Sequence, residues 1–403
     1  MSGEANMTNF KAALKVLYPA GCEIVYYQKN PFAALVNRNT KFVGDEDTIL
    51  IKYTTTQGRS RTFSKAQANK KPSALAKFRV TRKPDYSLAS LKNELILASE
   101  SDAGAIMPAL KSEMDSAYDS AVNSEAYSLW DIGTGARGQV GSFTGATVTL
   151  KKTSDHVYFE VGMTLAVSAT NGGGSGVRTG TVEILSINRD TGVLTMTGTV
   201  TSGISAIAND DYIFVDGDYD LGLAGVPAWI PKTAPTSGDS FFEVDRSKDV
   251  TRLAGHRIDG SALPIEEAGL RAGTAIETAG GKPDAWWMNP IDLENLIKAV
   301  GAKIIYMDVK SEFANVNFRG VALQIGNNVV KAMGDRNIPV GDSWMLQMDT
   351  WELASLGPSI RNLDIDGLKM LRESDDDAVE FRIGGYKQLK CNKPGYNAYV
   401  KLA

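Results

Sequence analysis

Apolar residues alternate with polar ones in some stretches of this chain and recur every three or four positions in others. Thr181-Val182-Glu183-Ile184-Leu185-Ser186-Ile187 is β-branched and roughly alternating, which predicts a strand. Asn188 to Gly192 reads as a turn, and Val193-Leu194-Thr195-Met196-Thr197 alternates again. The glycine run just ahead, Gly172 to Gly176, therefore reads as a hairpin tip and not as a phosphate cradle, because a phosphate loop must open a helix whose free N–H groups hold the anion. Thr147–Lys151, Thr164–Ser168 and Tyr212–Val215 predict further short strands. Across 136–217 helix formers thin out and charge is sparse, so a small β-barrel or sandwich inserted into a mixed domain is expected.

The three-to-four spacing is clearest over 99–130. Met107, Leu110, Met114, Ala117, Tyr118, Ala121, Val122 and Leu129 line one face of a long helix, opposite Lys111, Ser112, Asp115, Ser116, Asp119 and Ser120. Ser99 or Ser101 can cap it, with Glu100 and Asp102 at its positive end. Pro108 either kinks it or sits in its first turn. Near the N-terminus, Phe10, Leu14 and Leu17 suggest a short helix over 9–18 in an arm with little core of its own. Further on, Pro264 opens a helix to about Thr278, and Ala285–Met288 is a buried-type strand. Asn289 and Pro290 then start a helix, with Asp292 and Glu294 in its first turn; Leu293, Leu296, Ile297 and Val300 are its apolar face and Gly301 its stop. Ala378–Cys391 alternates as a strand, with Gly384-Gly385 expected to interrupt it, and Tyr396–Leu402 reads as the last strand. The fold class is α+β.

Residues 39–84 read as a long hairpin, with strands Asp47–Tyr53 and Lys77–Thr81 and a long polar connection. From Arg59 to Lys83 there are nine cations and no acid. That pattern is either a solvated face or an arm reaching an acidic neighbour. The cations Arg59, Arg61, Lys65, Lys70 and Lys71 have an obvious complement in the acidic run Glu373, Asp375, Asp376, Asp377 and Glu380, met within one chain or between chains.

The chain has 403 residues, enough for two or three domains. Its net charge of −4 gives no general pull toward nucleic acid. Two cysteines, Cys22 and Cys391, make no secreted disulfide framework and read as unpaired thiols of a reducing compartment. No signal peptide or membrane span is evident, which suggests a protein made and kept inside a cell or in something assembled there.

The search for chemistry finds little. Neither His156 nor His256 lies in a metal-binding or catalytic spacing. Gly173-Gly174-Ser175-Gly176 is followed by Val177 where a nucleophile elbow needs Gly, and Gly281-Lys282 by Pro283 where a phosphate loop needs Ser or Thr. Asp364-Ile365-Asp366-Gly367 lacks the rest of a calcium loop and reads as a turn. No catalytic residue, cofactor or metal is assigned. The long extensions suggest burial against copies of the same chain.

The order of elements resembles that of tailed-bacteriophage major capsid proteins of the Hong Kong 97-type fold. Locally, GGKPDAWWMNPIDLENLIKAV (280–300) is similar to their helix, strand, Asn-Pro, helix segment, and DAVEFRIGGYKQLKCNKPGYNAYVKL (377–402) to their closing strand pair. The SINRDTGVLTMTG hairpin (186–198) is similar to small β-domains that decorate some coat proteins. The resemblance implies an N-terminal arm (1–38), an extended loop lying over a neighbouring subunit (39–84), and a peripheral domain with a spine helix (85–135). It implies an inserted β-domain (136–217), an axial domain (218–350) and a return to the peripheral domain (351–403). It further implies hexamers and pentamers in an icosahedral phage head around double-stranded DNA held by weak non-specific contact. A separate scaffolding protein, a portal and a cement protein are the implied partners, with assembly in the host cytoplasm and no membrane. Some such proteins crosslink through Lys and Asn; Lys70 and Asn69 are candidates, but spacing does not select them. The rival readings are another virion protein whose β-domain binds a receptor or carbohydrate, and an enzyme with an unrecognised site.

Overall fold

The structure, a computed structural model, describes residues 29–42, 44–93, 103–172, 176–301, 305–310, 317–326, 328–364, 370–372 and 376–402, with backbone alone for 103–113, 305–310 and 317–319. The helix expected at 9–18, Cys22, the caps at 99–102, Met107 and Leu110 as side chains, Glu373, Asp375 and most of the 364–367 turn lie outside that description.

The chain enters through helix α1 (Pro31–Leu35) and strand β1 (Asn37–Asn39). The basic hairpin follows as β2 (Glu46–Lys52) and β3 (Leu75–Thr81), and its polar connection carries a short helix, α2 (Phe63–Ala68), that the sequence pattern did not signal. After β4 (Lys83–Lys92) comes the long helix α3 (Ala103–Ser128), with Pro108 inside it and not in its first turn. Met114, Ala117, Ala121, Val122 and Leu129 of α3 are buried, as their spacing predicts. Tyr118 packs 6.1 Å from Phe381, holding the helix against the sheet beneath it.

Six strands then close into a barrel: β5 (Gly138–Thr144), β6 (Thr147–Leu150), β7 (Thr164–Ser168), β8 (Val182–Asn188), β9 (Val193–Met196) and β10 (Tyr212–Val215), in the order β10-β5-β6-β9-β8-β7. Strand β5 escaped the alternation test because a bulge between Val140 and Ser142 breaks its period. Gly180 opens onto β8 and not a helix, and the β8–β9 turn is held by Asn188 Oδ1, which accepts from the N–H groups of Asp190 and Thr191, with Gly192 at φ 68°. The barrel has its own core, including Val140, Phe159, Leu165, Leu194 and Ile213.

Beyond it lie β11 (His256–Asp259), α4 (Ile265–Thr278), β12 (Ala285–Met288), α5 (Pro290–Val300), β13 (Ile305–Lys310), β14 (Asn317–Ile325), β15 (Asn328–Gly334) and β16 (Asp342–Leu346). The chain ends with β17 (Trp351–Ser355), β18 (Arg361–Asn362), β19 (Leu371–Arg372), β20 (Ala378–Cys391) and β21 (Ala398–Lys401). A seven-stranded sheet runs β11-β21-β16-β12-β15-β14-β13. In β12, Trp286 faces the core under α4 and α5, while Trp287 faces the main core with Phe32, Trp130 and Trp344. Asn289 caps α5 by accepting from Ile291 N at 3.0 Å, with Pro290 next, as predicted.

The six-stranded sheet is built on β20, which pairs with β17, β18 and β19 along one side and β4 along the other. β20 is continuous over fourteen residues, so Gly384-Gly385 does not interrupt it. The glycines serve close approach: a Cβ on Gly385 would lie 1.9 Å from the Ser359 carbonyl oxygen. The last strand is shorter than expected, because Pro394–Tyr396 forms a 3-10 turn before β21.

Candidate inter-subunit surface

The hairpin divides into a buried base and a free tip. Alternation along β2 and β3 turns Ile49, Ile51, Ala76, Phe78 and Val80 inward. Phe78 lies 5.4 Å from Trp229 and 6.4 Å from Phe241. Lys390 Nζ ties the base from β20, at 2.5 Å from Asp47 Oδ2 and 2.9 Å from Glu352 Oε1. Burial works against the Lys390 charge, but these carboxylates outweigh it and hold the ammonium above its usual range. Arg79 reaches Glu243 at 3.3 Å, and the Arg252 guanidinium donates to the Tyr53 carbonyl. The base of 39–84 therefore packs on its own body.

Beyond Tyr53 the situation reverses. No residue from 54 to 73 is buried. Phe63, the first residue of α2, is 82% exposed. Arg59, Arg61, Lys65, Lys70 and Lys71 are all exposed, and none makes an ion pair with another described residue. On the outer face of the ribbon Leu50 and Leu75 are also exposed. Among the described residues, nothing buries this cluster of apolar and cationic groups.

The described acids of the run, Asp376, Asp377 and Glu380, are held by near neighbours. Asp377 accepts from Asn93 Nδ2 at 2.6 Å and lies 3.6 Å from Arg372. Asp376 accepts from the Asp377 N–H at 2.8 Å, and Glu380 pairs with Arg382. Among the described residues no ion pair joins Asp376, Asp377 or Glu380 to the basic tip. The run borders the outward face of the β4–β20 pair. There Tyr86 stands opposite Gly384, Leu88 opposite Arg382 and Ser90 opposite Glu380. The inward face of β4 is covered by α3, where Ser87 Oγ donates to the Ala117 carbonyl at 3.0 Å. On the outward face Tyr86 is 52% and Leu88 57% exposed, while Leu363 reaches over Gly384. The Tyr86 and Tyr386 hydroxyls lie 3.1 Å apart across it.

Beneath this face lies a buried ion network that the sequence reading missed. Glu125 of α3 is fully buried, with Oε1 2.8 Å from Arg38 Nη2 of β1 and Oε2 3.0 Å from Lys387 Nζ of β20. Lys387 Nζ is also 3.0 Å from Asp85 Oδ2 of β4. Burial alone would push the Glu125 carboxyl up, but the two cations override it and hold it at about 2. Burial likewise opposes the Lys387 charge, and Glu125 and Asp85 keep it raised. The network ties four elements together and leaves no charge unpaired, the condition under which buried ions are tolerated. One signal was available: Glu125 occupies a position on the apolar stripe of α3, between Val122 and Leu129.

A cavity of about 210 Å³ opens where β4, the end of α3 and the root of the barrel meet, lined by Asp85, Tyr86, Tyr127, Arg137, Asp218 and Leu221 among others. Burial, opposed by Arg137, pushes the Asp218 carboxyl up. Its carboxylates are already engaged, Asp85 with Lys387 and Asp218 with Arg137 at 3.6 Å. His156 Nδ1 lies 2.7 Å from the Thr153 carbonyl, and burial pushes His256 below the usual imidazole range. Cys391 is a buried free thiol, pushed up to about 12 by burial.

The chain matches no known protein-family model and no curated protein. Among solved structures it is similar to the capsid asymmetric unit of cyanophage A-1(L), at 12% identity and a TM-score of 0.54, over 93% of this chain and 92% of that one. Weaker likenesses link it to the capsid of a native GTA particle, at 10% identity and 0.46 over 92% and 90% of the two chains. They also link it to the holo-SrpI encapsulin complex of Synechococcus elongatus PCC 7942, at 5% identity and 0.44 over 92% and 86%. The chain has the Hong Kong 97-type fold, carrying a β-barrel between α3 and the seven-stranded sheet.

Proposed function

We propose that this chain is the major capsid subunit of a phage head, assembling as hexamers and pentamers into an icosahedral shell around double-stranded DNA. The observation that carries the reading is the free tip, 54–73, with its exposed Phe63 and five unpaired cations on a fold shared with a cyanophage capsid. An exposed tip of this kind gains packing on another molecule, and a symmetric shell supplies one for every copy. In this reading 39–84 is the extended loop, 85–135 carries the spine helix, 218–350 points to the capsomer axis and 351–403 completes the periphery. The five cations of the tip and Asp375, Asp376 and Asp377 belong to subunit interfaces. A scaffolding protein, a portal and a cement protein are the further partners, and the shell is assembled in the host cytoplasm. The net charge of −4 suits a wall that must let packaged DNA go.

The test is expression of the full chain with and without a scaffold, followed by electron microscopy. Closed particles of uniform size are expected. A chain that stays monomeric under every assembly condition would overturn the proposal. The rival, a carbohydrate-binding β-domain, draws less support: the exposed large apolar residues among the barrel's described residues, Val161, Val177 and Leu185, are aliphatic. Sugar rings are usually held on flat aromatic faces.

A further inference from the structure

We propose that the barrel is a hinged arm with two positions on the body, one docked through the foot Thr153–Tyr158 and one released at its stalk, and that acid favours the docked position through Asp155.

Three observations converge on this device. The first is the attachment. The barrel is a closed ring with a core of its own, so it can turn as one piece without exposing that core. It joins the body through a stalk of two segments, 131–137 and 216–224. Each segment carries a glycine in the left-handed region, Gly133 at φ 100° and Gly217 at φ 89°. A Cβ on Gly217 would meet nothing within 4 Å, and one on Gly133 would find its nearest neighbours at an ordinary 3.7 Å. Backbone conformation, and not close approach, therefore calls for glycine at both, which suits a hinge. Among the described residues, Thr134 Oγ1 and Arg137 Nε of the stalk are buried with no hydrogen-bond partner, so these groups do not lock it.

The second is space. The cavity of about 210 Å³ lies between Arg137, Gly217, Asp218 and Leu221 of the stalk and Asp85 and Tyr127 of the body. Protein interiors leave few gaps of this size, and this one gives the barrel's root room to tilt.

The third is the foot, a 3-10 turn on the barrel. Its Tyr158 hydroxyl donates to the Asn337 carbonyl at 3.0 Å, and the ring lies 4.8 Å from that of Tyr127 on α3. Arg137 Nη1 donates to the Tyr158 carbonyl at 3.2 Å. Beside Tyr158, Asp155 is wedged against Gly138 of β5, with Oδ2 3.5 Å from where a Cβ would stand. Lys152 and His156 face Asp155 from the foot, and Lys232 and Tyr127 face it from the body. Ser154 Oγ lies 3.5 Å from its Oδ1. Asp131 and Arg137 stand near Tyr127, and Asp335 and Arg336 near Tyr158. Burial outweighs the cations and pushes the Asp155 carboxyl up to about 6. Release rehydrates the group and returns it toward its ordinary 3.8, so the docked position keeps the neutral acid and the released one the anion. Asp218 of the stalk, also pushed up by burial, acts with the same sign. Docking is therefore strongest below 3.8 and weakens as pH rises through about 6, by about 10-fold in the equilibrium between pH 5 and 8.

The experiment places two nitroxide spin labels on the unassembled full chain with Cys22→Ser, one at Leu185→Cys on the barrel and one at Leu270→Cys on α4. Both positions are exposed, and the remaining native thiol, Cys391, is buried. Distances are read by pulsed electron paramagnetic resonance at pH 5 and pH 8, with circular dichroism to confirm that each variant is folded. The ratio of a second distance to the docked one should rise about 10-fold at pH 8. Asp155→Asn should hold the docked distance at both pH values. Tyr158→Ala, which removes the anchor of the foot, should populate the second distance already at pH 5.

One unchanged distance at both pH values and in Tyr158→Ala means a barrel fixed to the body, and overturns the proposal. A pH response that persists in Asp155→Asn overturns it as well, by taking the switch away from that carboxyl. Neither result depends on whether the chain forms shells.

Discussion

The barrel and the basic hairpin are both antiparallel β-structure, and they handle their strand edges in opposite ways. The six barrel strands pair around a closed ring, so every edge is used and the apolar residues meet in a private core. The hairpin has two strands paired only with each other. One face is buried on the body through Phe78 and Val80, while the other face and the whole tip remain in water. A two-stranded ribbon is barely stable by itself. Closure, not β-content, decides whether a segment of this chain is self-sufficient or waits for a neighbour.

The comparison breaks most visibly by deletion. Replacing 54–73 with a short turn should leave a folded monomer with an unchanged Tm and no particles under the electron microscope. Excising 138–215 should leave assembly intact, because Arg137 N already lies 2.8 Å from the Ile213 carbonyl and the ends of the insert are adjacent. The opposite pair of outcomes would exchange the roles assigned to the two regions.

Next in size is the body's ion network. Glu125→Ala leaves Arg38 without its carboxylate and Lys387 with Asp85 alone, which should cost about 3–5 kcal/mol. All six tryptophans lie outside the barrel, so tryptophan fluorescence during denaturant unfolding reads the body alone. The barrel transition, followed by circular dichroism, should not move. Within the hairpin, Phe78→Ala should cost about 3–5 kcal/mol for lost burial and cavity formation.

Acid should separate the two regions more gently. The Glu125 carboxyl is held at about 2, below its ordinary 4.5, so its contribution is complete above about 4.5 and is lost as pH falls toward 2. Asp155, in the turn after β6, is pushed by burial up to about 6 from an ordinary 3.8. Its contribution has the opposite sign: complete below 3.8 and lost as pH rises through about 6. Asp284 of the body behaves like Asp155, also at about 6, and so acts above the acid window. Calorimetric scans between pH 4.5 and 2 should show the body's transition falling while the barrel's Asp155 contribution stays whole. Glu125→Gln should flatten the body's fall. The smallest effect is Phe63→Ala, which should change the isolated subunit by less than about 0.5 kcal/mol, as for any exposed side chain. A larger loss would mean that the tip packs on its own body after all.

Local patterns carried much of the fold. Thr164–Ser168, Tyr212–Val215 and Ala285–Met288 form the strands their periodicity predicts, and Asn289-Pro290 starts α5. These signals need only a residue and its near neighbours. Helix α2 lacked any such signal, since its one large apolar residue, Phe63, faces water. The ion network failed the same test for another reason: Lys387 and Glu125 are 262 residues apart, and no local pattern links them. The five tip cations were identifiable as a run without acids, but none of them makes a described ion pair with Asp376 or Asp377 of the same chain.

By itself the sequence determined many of the strands and helices and where charge collects, because backbone period and side-chain polarity act over a few residues. Only the tertiary structure decided that 138–215 closes into a ring and that Phe78 is buried while Phe63 is not. It alone brought Arg38, Asp85, Glu125 and Lys387 to one point. Those outcomes depend on which surfaces meet across hundreds of residues, and the free energy of burial is settled there and not along the chain.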